Sequence, residues 1–141
     1  MRIASKKWFE AKVQVDGTAQ DDGTHEFVVD AVSFTEAEAR LLRFVAKTIG
    51  GKADVRRLRP AKFSVVAYSE THPDGWYKVK VVMIVEDEKS GREKETAYPV
   101  VVQAETIEDS ISMAKAVMAG SMADCRIDKS ERLDLEAVIE K

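Results

Sequence analysis

The chain has 141 residues, of which 45% are hydrophobic and 33% charged, and its formal net charge is −3. This balance is typical of a folded domain, and it excludes a disordered chain or a surface that is basic throughout. A lone cysteine, Cys125, excludes an internal disulfide and a cysteine-rich zinc site. Because the first residues lack the apolar core of a signal peptide and no run is long enough to span a membrane, we expect a cytoplasmic protein.

The first half of the chain predicts two strands, a helix and a third strand. Apolar and polar residues alternate over 9–15 and again over 25–31, which indicates two half-buried strands joined by a polar loop. The acids of this loop do not have calcium-binding spacing, because Phe27 stands where a bidentate glutamate would be needed. From Thr35 an apolar stripe at helical spacing runs to Gly50-Gly51, which end the helix. The next segment, 52–69, is a strand that Pro60 must break or bend.

The second half repeats this order of elements after the turn at 72–75. Trp8-Phe9 corresponds to Trp76-Tyr77, and Val29-Asp30-Ala31 to Val102-Gln103-Ala104. We predict that Thr35 and Thr106 cap the two helices, with Glu38 and Asp109 three residues on. The second helix has an apolar stripe formed by Ile107, Ile111, Ala114 and Met118, and the last strands match through Phe63, Val65 and Ala67 with Leu133, Leu135 and Ala137. Chance alternation can imitate a repeat, so internal duplication is a hypothesis.

The fold class that this order predicts is α+β. We expect a single domain, 1–141, built of two similar strand-strand-helix-strand units, about 8–69 and 76–138, which form one mostly antiparallel sheet with both helices on one face. In the strand from Trp76, the residues Val82 and Ile84 lie on the face away from the helices, and they are apolar as well. Because an exposed apolar face is rare in a soluble monomer, we expect a homo-oligomer, most simply a dimer, whose interface includes Val82, Ile84 and Trp76.

Several stretches together resemble an uncharacterised family of short proteins from gut bacteria and their phages, domain of unknown function 4494. They are 8–13, 28–40, 61–64, 77–81, 87–94 and 120–125, and Phe-Thr-Glu-Ala-Glu-Ala-Arg at 34–40 is the most specific. The resemblance covers nearly the whole chain. It implies no activity, but it does imply a cytoplasmic accessory protein of phage or mobile-element type. The family pattern has an aromatic residue after Met122-Ala123-Asp124, so Cys125 is a departure.

Two groups of residues are candidates for binding. Arg56, Arg57, Arg59 and Lys62 form a basic cluster that could hold phosphates of a nucleotide or nucleic acid, although a solvated strand and bend is the commoner explanation in an acidic chain. Trp8 and Trp76 could stack on a base or a ligand ring, but packing in a subunit interface explains them more simply.

No pattern in the sequence indicates a reaction. We interpret His25 and His72 as surface histidines and Cys125 as a small buried hydrophobe, and the acids at the starts of the helices fit capping. Since no phosphate loop, metal-ligand spacing or catalytic signature occurs, we expect neither a cofactor nor a metal, and we do not expect an enzyme.

Three functions therefore remain open. The leading interpretation is a non-catalytic protein that binds a host or phage component as a homo-oligomer. The second is a module that sequesters or senses a small anionic ligand such as a nucleotide. The third, which the acidic composition makes less favourable, is a nucleic-acid binder that uses the same basic segment.

Overall fold

The computed structural model describes residues 1–16, 23–71, 73, 75–121 and 123–141. These residues form nine strands and two helices: β1 (Arg2–Ser5), β2 (Trp8–Asp16), β3 (Thr24–Asp30), α1 (Phe34–Thr48), β4 (Lys52–Pro60), β5 (Val65–Tyr68), β6 (Trp76–Glu86), β7 (Glu93–Gln103), α2 (Ile107–Met118), β8 (Asp124–Leu133) and β9 (Leu135–Ile139). The predicted α+β class is confirmed. Most of the loop between β2 and β3, together with His72, lies outside the described residues.

The strands form two sheets, so the prediction of a single sheet with both helices on one face is wrong. One sheet has the order β4-β2-β3-β9 and the other the order β1-β5-β7-β6-β8. Each contains antiparallel pairs and one parallel pair, β3 with β9 and β5 with β7. The sequence pattern showed which side of each strand is apolar, but alternation alone does not say how many sheets the strands make.

The chain divides into two compact units, and neither is contiguous in sequence. The α1 unit comprises 6–62 and 134–141, and the α2 unit comprises 1–5 and 63–133. Each unit has a hairpin, a helix and a following edge strand, together with a strand from the other half of the chain that pairs in parallel with the second hairpin strand. The last strand of the predicted segment 8–69 is β5, and it belongs to the α2 unit. The last strand of the predicted segment 76–138 is β9, and it belongs to the α1 unit.

The two units share details of strand pairing. In each, the first hairpin strand pairs with the strand after the helix, and the register shifts by one residue, between Lys12 and Val13 in β2 and between Lys80 and Val81 in β6. At these shifts, Arg56 in β4 and Asp128 in β8 have no opposite residue in the neighbouring strand. A bulge of this kind bends an edge strand and hinders pairing with a further strand.

In the α1 unit, the apolar stripe of α1 packs on the sheet, as the periodicity predicts. Ala37, Leu41 and Val45 are fully buried against a sheet face that carries Phe9 and Phe27. The helix begins at the N-cap Ser33, whose Oγ accepts a hydrogen bond from the Glu36 backbone N–H at 3.2 Å, and not at Thr35. It ends before Gly50 and Gly51, both at φ +77°, a conformation that favours glycine.

In the α2 unit, the predicted cap is correct but part of the predicted stripe is wrong. The Oγ1 of Thr106 accepts a hydrogen bond from the Asp109 N–H at 3.1 Å. Ala114 is buried, whereas Ile107 is exposed. Ser110 is fully buried in the face toward the sheet, and its hydroxyl is satisfied by the Ile107 carbonyl and the Ser130 hydroxyl, both at 2.6 Å. A polar residue at a core position cannot be recognised from hydrophobic periodicity alone.

Candidate functional site

The three arginines of the predicted basic cluster lie on β4, an edge strand of the α1 unit, and each is paired with a carboxylate. Arg59 meets Glu10 at 3.0 Å, and Arg57 meets Glu26 at 3.9 Å. Arg56 meets Asp54 at 3.2 Å, and Lys62 is exposed just beyond the strand. The Glu10 carboxylate comes from β2, which pairs with β4, and the Glu26 carboxylate comes from β3, on the other side of β2. The cluster is therefore a mixed-charge surface, less attractive to phosphate than its sequence indicates.

The two tryptophans are buried, so the interpretation of them as exposed stacking platforms is wrong. Trp8 is 1% exposed and Trp76 is 9% exposed. In the α2 unit the Trp76 ring packs edge-on against Tyr68, with ring centres 5.5 Å apart, and the Arg2 guanidinium lies 4.0 Å above the Tyr68 ring. A base could not reach either indole without a rearrangement.

On the face of β6 that carries Val82 and Ile84, Val82 is buried in the single chain and Ile84 is partly exposed. Arg126 on β8 stands opposite Val82, and Glu95 on β7 stands opposite Ile84. The guanidinium of Arg126 forms two hydrogen bonds to the Glu95 carboxylate across β6, at 2.5 and 2.9 Å. Val82 is only 4% exposed. The exposure argument for the interface therefore fails at Val82 and Trp76, and the homo-oligomer itself stays a prediction.

A network of charged groups occupies the β3–α1 junction. The Asp30 carboxylate, only 4% exposed as a residue, accepts hydrogen bonds from Arg40 Nη1 at 2.6 Å and from the Lys141 backbone N–H at 3.1 Å. Lys6 lies between Asp30, at 3.0 Å, and Glu140, at 3.2 Å. The hydrogen bond to Asp30 raises the pKa of Lys6 above its ordinary value, and the hydrogen bond to Glu140 adds a smaller increase. The network joins the end of the chain to the start of α1.

Two exposed apolar side chains stand beside this network, and we call Val32 and Phe34 the apolar corner. Val32 is 75% exposed and Phe34 is 53% exposed. The Phe34 ring packs edge-on against Phe9 at 5.1 Å, and the Lys7 ammonium donates a hydrogen bond to the Val32 carbonyl at 3.3 Å. Phe34 opens the sequence stretch 34–40 that carries the family resemblance most specifically. Sequence reasoning assigned it no role, since an aromatic residue before a helix is usually interpreted as core.

The remaining candidates lie apart from the basic cluster and the apolar corner. His25 is buried rather than on the surface: its Nδ1 lies 3.1 Å from the Glu136 carboxylate, and its ring lies over Phe27. Cys125 is exposed, so the prediction of a buried hydrophobe is wrong. In the part of the chain that the structure describes, no group of three or more His, Cys, Asp or Glu side chains could hold a metal ion. No helix of that part is long and apolar enough to cross a bilayer.

These features define a small α+β protein with two mixed sheets, each carrying one helix, and with an exposed apolar corner beside the charge network of Asp30. The chain belongs to the family described as Domain of unknown function (DUF4494), whose model matches residues 7–141. No curated protein and no solved structure shows significant similarity to it.

Proposed function

We propose that this protein is a non-catalytic accessory protein that binds a host or phage protein through the apolar corner. The observation that carries the proposal is the exposure of two large apolar side chains, Val32 and Phe34, two residues apart at the start of α1. Neighbouring exposed apolar side chains lose water when a partner covers them, and each buried large side chain contributes about 1.5–3 kcal/mol.

The apolar corner is held in position before any partner binds. Phe34 is the first residue of α1, behind the Ser33 cap, and it rests on the buried Phe9 ring. Its backbone and ring therefore have little freedom to lose on association, which lowers the entropic cost of binding. Lys7 beside it supplies a polar rim, and an aromatic anchor with a polar rim is the arrangement of many protein interfaces.

The cellular setting belongs to the same proposal. The resemblance to short proteins of gut bacteria and their phages supports a cytoplasmic role in a phage or mobile element. A second copy of the chain is one possible partner in a homo-oligomer, and it would use a surface other than Val82 and Trp76, because these side chains are already buried.

A native mass spectrum of protein purified directly from cells tests the proposal. Val32→Lys should remove a retained protein mass, because it places a charge in the contact, and Phe34→Ser should do the same. Ile107→Ser is the matched control, since Ile107 is the exposed first residue of α2, 49% exposed. An unmodified protein that carries no partner, or a partner retained equally by Val32→Lys, would contradict the proposal.

The two alternatives, an anionic ligand or nucleic acid on β4, have weaker support because Arg56, Arg57 and Arg59 each face a carboxylate. We expect short DNA and RNA to bind more weakly than about micromolar at physiological salt, since phosphate contacts weaken steeply as salt rises. Tighter binding in a fluorescence titration at that salt would favour the nucleic-acid reading. In the same mass spectra, a retained nucleotide would favour the small-ligand reading.

A further inference from the structure

We propose that a cavity at the β7–α2 junction of the α2 unit binds a guanidinium group. The cavity has a volume of about 250 Å³, and its lining includes Gln103, Asp109, Ser112 and Met113. It is separate from the apolar corner, and the proposal does not depend on the proposed function.

The β3–α1 junction of the α1 unit corresponds to the β7–α2 junction, and it binds a guanidinium group, that of Arg40. Both helices follow the second hairpin strand of their unit and begin at a hydroxyl N-cap that binds the N–H three residues on. Counting from these caps gives equivalent positions in the two units: Asp30 and Gln103, Ser33 and Thr106, Glu36 and Asp109, Ala37 and Ser110, and Arg40 and Met113. Ala37 and Ser110 are both fully buried toward their sheets, which confirms that the helices have the same rotation.

In the α1 unit these positions enclose the guanidinium of Arg40. Its Nη1 donates hydrogen bonds to the backbone carbonyl of Asp30 at 2.5 Å and to the Asp30 carboxylate at 2.6 Å. Its Nη2 forms an ion pair with the Glu36 carboxylate, one helical turn earlier. A strand end and the first turn of a helix thus present three oxygen acceptors around one planar cation.

In the α2 unit the acceptors remain, but the arginine does not. Met113 stands at the position of Arg40, and the cavity lies beside it. The Asp109 carboxylate, equivalent to that of Glu36, makes no ion pair with any residue that the structure describes.

The polar group at the strand end is oriented alike in the two units. The Gln103 Oε1 accepts a hydrogen bond from the Ser69 N–H at 2.9 Å, just as the Asp30 Oδ1 accepts one from the Lys141 N–H at 3.1 Å. The Gln103 Nε2 donates to the Pro73 carbonyl at 3.0 Å, so its side chain is held at both ends. Its oxygen retains a second lone pair for a donor in the cavity.

The chemistry of this lining favours a guanidinium over an ammonium ion. A planar cation with donors on two edges can reach the Asp109 carboxylate and the Gln103 oxygen at once, whereas an ammonium ion is a compact, strongly hydrated charge. Met113, Ala104 and Ala116 supply apolar wall for the methylene stem that carries such a group. The cation can come from a small molecule or from an arginine side chain of a partner protein, and both sources have the same chemistry.

A nuclear magnetic resonance titration of the intact protein distinguishes these sources. Methylguanidinium, the capped tripeptide Gly-Arg-Gly and butylammonium are the three probes. We expect the two guanidinium probes to shift the amide signals of Gln103, Asp109 and Ser112 saturably, with a Kd on the order of millimolar, because one charged contact dominates. Tighter binding of the tripeptide would indicate an arginine side chain, and equal or weaker binding a small molecule.

Two variants locate the binding. Asp109→Asn should weaken it about tenfold or more, because the charged acceptor is lost. Met113→Arg should abolish binding and raise the melting temperature, since the new side chain can fill the cavity and pair with Asp109 one turn earlier, as Arg40 does with Glu36. Met113→Leu, which conserves volume, is the matched control and should bind normally. Absence of saturable shifts, shifts unchanged by both Asp109→Asn and Met113→Arg, or equal binding of butylammonium would overturn the proposal.

Discussion

At the scale of single residues, Asp30 is the group whose surroundings matter most to the α1 unit. Its carboxylate is buried, and Arg40, Lys6 and the Lys141 backbone N–H all approach it. Neighbouring carboxylates come from Glu36 and Glu140. A buried charge is tolerated when it is paired and hydrogen-bonded, and it becomes costly when a partner is removed.

We therefore expect Arg40→Met to lower the free energy of unfolding by about 3 kcal/mol, because it leaves Asp30 without its nearest cation. The measurement is urea unfolding at neutral pH. Arg43→Met is the matched control, since Arg43 is exposed on the same helix, and it should change stability by less than about 0.5 kcal/mol. Equal effects of the two variants would mean that the network contributes little beyond the loss of one surface charge.

A second residue-scale prediction concerns acid stability. Hydrogen bonds from Arg126 lower the pKa of Glu95 and the pKa of Asp128 below their ordinary values, so the two carboxylates bind protons more readily in the unfolded chain. Their contribution is therefore present at neutral pH, and it is lost as the pH falls from about 5 through their lowered values. We expect Arg126→Met to remove part of the fall in melting temperature between about pH 5 and pH 3 at low salt.

Arg92→Met is the control for this comparison. It makes the same change of charge at an exposed arginine of the same unit, and it should keep the pH dependence of the unmodified protein. If Arg92→Met and Arg126→Met give the same pH profile, the cluster of Glu95, Arg126 and Asp128 is not the origin of the effect.

At the scale of the elements, the start of α1 shows how a cap is chosen. Ser33 and Thr35 both precede acids at capping-box spacing, but the serine has extended backbone angles (φ −150°, ψ 164°) and its hydroxyl meets the Glu36 N–H. Thr35 already lies within the helix. The helix therefore begins two residues earlier than Thr35 predicts, and this places Phe34 at its first position, where its ring is exposed.

We expect Ser33→Ala to cost about 1 kcal/mol of stability, because the Glu36 N–H loses its acceptor. Thr35→Ala should cost less than about 0.5 kcal/mol, since alanine is the better helix former and no capping bond is lost. Thermal unfolding followed by circular dichroism compares the two. A larger loss for Thr35→Ala would show that the threonine caps the helix in solution.

At the scale of the whole molecule, the exchange of strands between the halves of the chain is the main feature of the fold. β9, from the second half of the chain, pairs with β3 of the first half. β5, from the first half, pairs with β7 of the second half. Ile139 of β9 belongs to the hydrophobic core under α1, and Val65 and Ala67 of β5 belong to the core under α2. Neither core is complete without the other half of the chain.

This topology predicts the behaviour of a divided chain. We expect 1–70 and 71–141, produced separately, to lack a cooperative thermal transition, because each would leave an apolar sheet edge and part of a core unpaired. Produced together, they should form a one-to-one complex with the circular dichroism spectrum of the intact protein. Two halves that fold independently would contradict the exchange, and would instead support contiguous domains.

Much of the local structure is determined by the sequence, because it depends on neighbours along the chain. The alternation in β2 and β3, the stripe of Ala37, Leu41 and Val45, and the end of α1 at Gly50-Gly51 all follow from the spacing of apolar residues and from backbone preferences. The sequence also showed that Trp76 and Val82 share the side of β6 away from α2. These features define an α+β protein.

The tertiary structure alone decided which strands meet, and with them the character of each candidate site. Alternation shows which side of β5 or β9 is apolar, but nothing local shows which sheet edge the strand joins. The charge pairing of the arginines on β4 also depends on which strands meet. These arginines are close together in sequence, whereas Glu10 and Glu26, which pair with Arg59 and Arg57, lie on strands far away along the chain. Burial and charge pairing depend on contacts between residues far apart in the chain, and periodicity carries no information about those contacts.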